Sequence, residues 1–76
     1  MNKDRRKAIA SLQSRLETLL EEAQTIAGEE ADYFEAMPSG IQFSERGEQA
    51  ENASNLLQDA CDNLQLVLDA LEEASV

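Results

Sequence analysis

The sequence predicts an all-α protein: an antiparallel two-helix coiled-coil hairpin that dimerises into a four-helix bundle. Three observations carry that expectation. Apolar residues recur at alternating three- and four-residue steps through both halves of the 76-residue chain. Met37-Pro38-Ser39-Gly40 interrupts the pattern once, near the middle. Leu, Ala, Glu and Gln, all good helix formers, dominate both halves, and β-branched residues are few.

The first helix is expected over about residues 3–36. Ile9, Leu12, Leu16, Leu19, Ala23, Ile26, Tyr33 and Met37 form its seam, with Glu30 the one polar member. Gly28 costs up to about 1 kcal/mol inside a helix, but the seam stays in phase across it. Residues 37–44 form the turn, because Pro38 biases Met37 out of the α region and Gly40 turns readily. The second helix is expected over about 45–74, with Ser44 as N-cap and Glu45 and Glu48 near the positive end of the helix dipole. Its seam is Ala50, Ala53, Leu57, Ala60, Leu64, Val67, Leu71 and Ala74.

A short connection makes the helices antiparallel neighbours. The pattern pairs Leu12 with Leu71, Leu16 with Val67, Leu19 with Leu64, Ile26 with Leu57, Glu30 with Ala53, Tyr33 with Ala50 and Met37 with Arg46. Glu30 and Arg46, polar residues at seam positions about one layer apart, are candidates for setting the register; the alternative is a polar notch read by a partner. One seam is too small a core for so short a chain, and the sequence carries more apolar surface than one seam needs. Leu20, Ala27 and Phe34 flank it on the first helix, and Leu56, Cys61 and Leu68 on the second. A homodimer interface built on Leu20, Phe34, Leu56 and Leu68 would cover that surplus. The competing occupant is a different protein.

Charge limits the partners. The net charge is −10, from 6 basic and 16 acidic residues, which argues against direct binding to nucleic acid. Lys3, Arg5, Arg6, Lys7 and Arg15 cluster near the N-terminus, where Asp69, Glu72 and Glu73 of the second helix are expected to pair with them. Glu45, Glu48, Glu51, Asp59 and Asp62 fall away from the seam. They are a solubilising face, or else an array of carboxylates that imitates duplex phosphates.

Chemistry is sparse. There is no His, one Cys, no Gly-rich phosphate loop and no nucleophile–base pair. No catalytic residue, metal site or cofactor is therefore expected, and the carboxylate pairs Glu21–Glu22 and Glu29–Glu30 lack a third fixed ligand. No apolar run approaches a membrane span or the core of a signal peptide, and the lone thiol suits a reducing compartment. The expectation is a cytoplasmic, non-enzymatic protein. The turn end supplies a candidate binding surface, since Phe34, Met37, Ile41 and Phe43, with Tyr33, are more apolar bulk than a cap requires.

The segment Tyr33-Phe34-Glu35-Ala36-Met37-Pro38, followed by Gly47-Glu48-Gln49-Ala50-Glu51, resembles small acidic helical-hairpin proteins encoded by bacteriophages and prophages. In these, a YF-x-x-MP turn joins two Ala/Leu/Glu-rich helices. The resemblance carries no functional residue with it. It implies a phage context, and with it a protein that binds a host protein, defence nucleases and transcription factors included, as inhibitor or adaptor. The acidic DNA mimic is the alternative, and a purely structural helical dimer is the third reading.

Overall fold

The computed structural model describes residues 1–76 as three helices without a strand: α1 (Lys3–Glu35), α2 (Ser39–Gln42) and α3 (Glu45–Ala74). Asn2 caps α1, its side-chain oxygen accepting the Arg5 N–H at 2.8 Å, and Asp4 adds a negative charge in the first turn. Pro38 ends the run and becomes the N-cap of α2, its carbonyl accepting the N–H groups of Ile41 (2.9 Å) and Gln42 (3.0 Å). The expected turn at 37–44 thus contains one helical turn of its own. Ser44 caps α3 as the sequence suggests, accepting the Gly47 N–H at 3.4 Å.

The long helices lie alongside each other. End to end, 33 and 30 helical residues would span about 95 Å at about 1.5 Å per residue, whereas the molecule measures 58 × 15 × 12 Å. It is a rod: the radius of gyration is 17.2 Å, against about 11 Å for a compact domain of this length. The core is correspondingly thin. Leu20, Ala27, Cys61 and Leu68 form its buried cluster, with Leu16, Ala23, Leu57 and Leu64 partly buried against it.

That cluster corrects the expected seam. Ile9, Leu16 and Ala23 of α1, Met37 just beyond its end, and Ala50, Leu57, Leu64 and Leu71 of α3 do face inward, buried or half-buried. Of the intervening positions only Glu30 and Ala53 stay half-buried; Leu12, Leu19, Ile26, Tyr33, Ala60, Val67 and Ala74 are exposed. Leu20 is 8% exposed while Leu19 is 50%, and Ala27 is buried while Ile26 is 52% exposed. Likewise Cys61 and Leu68 are buried in place of Ala60 and Val67. The sequence holds two apolar series, one residue apart, that share every second member. On α1 the buried series puts the small Ala27 where the other would put Ile26, and on α3 Cys61 where the other would put Ala60, so a small residue faces inward on both helices at this level.

Two glycines separate local from tertiary demands. A methyl group at Gly28 would meet nothing within 4 Å, so only helix propensity is at stake there. At Gly47 a Cβ would overlap the backbone carbonyl oxygens of Ile41 and Gln42. Urea unfolding at fixed protein concentration should show Gly28→Ala more stable by about 0.5–1 kcal/mol. Gly47→Ala should be less stable by about 1–3 kcal/mol despite Ala's better propensity, because rigid backbone must move.

Candidate functional site

Side-chain hydrogen bonds fasten the turn end. Gln42 Nε2 donates to the carbonyls of Phe34 (3.1 Å) and Glu35 (3.5 Å), two of the acceptors that the end of α1 leaves without helical partners. The Met37 N–H also reaches the Phe34 carbonyl, at 3.1 Å. Ser44 Oγ donates to the Ile41 carbonyl while accepting from Gly47, which ties α2 to the start of α3. Across the helices, Tyr33 Oη accepts from Arg46 Nη2 at 2.8 Å and Nε at 3.2 Å. Neither Gln42 nor the Tyr33–Arg46 pair carries a sequence signal, because both bonds join residues at least eight apart in the chain.

These contacts shape a shallow hollow of about 240 Å³ lined by Tyr33, Ala36, Met37, Pro38, Ile41 and Arg46. Of the expected binding residues, Met37 and Ile41 enter this hollow. Phe34 is half-buried, and its carbonyl accepts from Gln42. Phe43 ends α2 and stands 85% exposed, more than any other aromatic side chain in the protein. Glu30 and Arg46 line a neighbouring groove with Tyr33, Gln49 and Ala50, and the guanidinium donates to Tyr33 Oη.

The remaining candidates scatter. Glu45, Glu48, Glu51, Asp59 and Asp62 are all exposed, and Gln58 Nε2 donates to Asp62 at 3.5 Å. Leu20 and Leu68 lie inside the α1–α3 core, Phe34 is half-buried and Leu56 is exposed, so this set shares no single outward surface. Cys61 is a buried free thiol. No cluster of three His, Cys, Asp or Glu side chains could hold a metal ion, and no helix is long and apolar enough to cross a membrane. A larger groove of about 610 Å³ between α1 and α3 has a mostly polar lining, Gln13, Glu17, Glu21, Gln24, Gln65 and Asp69 among it. It offers amides and carboxylates to solvent without a nucleophile–base pair.

The chain matches no protein-family model, no curated protein and no solved structure.

The Gln42 bonds predict a local effect. Gln42→Ala should lower stability by about 1 kcal/mol. Amide hydrogen exchange should accelerate first at Ala36 and Met37, with α1 before Ala27 unchanged. Uniform acceleration along α1 would show that Gln42 does not act as a local clasp.

Proposed function

We propose that the chain is a non-enzymatic protein-binding module, a phage-encoded inhibitor or adaptor that acts on a host protein in the host cytoplasm, with a defence protein as one candidate target. In this reading it is an antiparallel helical hairpin that pairs into a four-helix bundle and presents its turn end. Two contacts support the antiparallel arrangement. Tyr33, late in α1, bonds Arg46, early in α3, while Gln13 and Leu20 share a groove with Leu68 and Ser75. The phage context rests on the resemblance of the turn sequence.

The observation that carries the binding reading is Phe43, 85% exposed at the end of α2, on a turn held by side-chain bonds that also carries the Met37–Ile41 hollow. A rigid segment loses little entropy when it docks. One buried aromatic anchor contributes about 2 kcal/mol or more, about thirtyfold in affinity, whereas exposed carboxylates contribute about 0–1 kcal/mol each and are screened by salt.

The test is capture from host lysate with Phe43→Ala as the control, followed by titration of the purified partner. Phe43→Ala should weaken binding at least about thirtyfold while helicity is unchanged. Neutralising Glu48, Glu51 and Asp62 together should cost far less, and affinity should vary little with salt. The opposite pattern, with the charge variant failing and Phe43→Ala binding normally, would favour the DNA mimic over the apolar anchor.

A further inference from the structure

The rotation of the core toward Leu20, Ala27, Cys61 and Leu68 leaves a second apolar stripe without a partner. Leu12, Leu19 and Ile26 on α1 and Leu56, Ala60 and Val67 on α3 are all exposed. Resting on the reading that the chain pairs with itself, we infer that the second copy seats on this stripe, with α1 of each copy across α3 of the other and both turns at the same end.

The stripe is one surface. Leu19, Ile26, Ala60 and Val67 each precede a buried residue by one position, or about 100° of helix turn. In two helices that run in opposite directions, equal offsets fall on the same side of the pair. The Tyr33–Arg46 bond bridges the helices there, whereas the polar groove of Gln13, Glu17, Gln65 and Asp69 marks the other side. Both halves of the stripe keep a seven-residue period, at Leu12, Leu19 and Ile26 and at Ala53, Ala60 and Val67. That is the spacing of a helix–helix seam rather than of scattered surface residues.

Area and composition point to a copy of the same chain. The accessible surface is 5596 Å², about 1,000 Å² above the 4,600 Å² or so expected for a folded monomer of 8.4 kDa. A standard interface takes about 800 Å² from each partner. The stripe is largely self-complementary in size: Leu12, Leu19, Ile26 and Tyr33 are large, while on α3 Ala53, Ala60, Val67 and Ala74 are small or medium and Leu56, at its outer edge, is the one large residue. A twofold axis along the rod sets the large side chains over the small ones, as interdigitation requires. Charge allows it too. From Gln49 to Ala74 this side of α3 carries Ala53, Leu56, Ala60, Asn63, Val67 and Ala70 and no acid, in a chain of net charge −10. The same arrangement brings two acidic turn ends together, with Asp32, Glu35, Glu45 and Glu48 on each, so self-association should strengthen as salt screens them.

Analytical ultracentrifugation of the full chain should show a dimer that tightens between about 0.01 M and about 1 M salt, as the Debye length falls from about 30 Å to about 3 Å. Leu19→Glu and Val67→Glu should each weaken it by about 100-fold or more. Leu66→Glu, on an exposed side of α3 away from the stripe, should leave it unchanged. In a Cys61→Ala background, Leu19→Cys mixed with Val67→Cys should form a disulfide between copies. A wild-type monomer would overturn both this inference and the self-pairing it rests on. A dimer that survives Leu19→Glu with helicity intact would overturn the face alone. Crosslinking of Leu19→Cys to Ile26→Cys but not to Val67→Cys would overturn the orientation.

Discussion

Everything in this protein depends on a single narrow contact between α1 and α3. Only six residues are buried, and none of their side chains is fully enclosed. Leu20 and Leu68 supply most of the apolar bulk of the buried cluster, and Ala27 and Cys61 are its small members. With one shared face, each helix is solvated around most of its circumference, and the fold draws on intrinsic helix propensity more than a globular core would. The caps at Asn2 and Ser44 and the Leu, Ala, Glu and Gln content of both helices therefore weigh heavily.

The turn closes one end of that contact. Gly47 packs its bare Cα against the carbonyls of Ile41 and Gln42, Gln42 reaches back to the end of α1, and Ser44 joins α2 to α3. Together they fasten the end of α1, α2 and the start of α3 to one another. The same bonds make the turn a firm platform, which is what a binding surface built on Phe43, Ile41 and Met37 requires. Structure and proposed function meet at this end of the rod.

Surface chemistry divides along the length. One side of the pair is amide- and carboxylate-rich, and the other is an apolar stripe with almost no acids on α3. A chain of net charge −10 resists nonspecific aggregation, yet it leaves one strip on which self-repulsion is low. The proposed sites for a second copy and for a host target thus lie on different parts of the same small surface.

The amino-acid sequence by itself determined the helices and their ends: α1 and α3 match the expected 3–36 and 45–74 almost to the residue. Those limits are local matters of propensity, capping and Pro38, and they are written in neighbouring residues. It also marked the turn end as unusually apolar, and Phe43 is indeed exposed there. What only tertiary structure decided was which of two overlapping apolar series lies inside. Leu19 and Leu20, Ile26 and Ala27, Ala60 and Cys61, and Val67 and Leu68 are adjacent pairs that fit a heptad pattern equally well. Periodicity locates an apolar arc but cannot divide it, because the division depends on where the partner helix arrives. That position is expressed in the cluster of Leu20, Ala27, Cys61 and Leu68, whose contacts join residues distant in the chain.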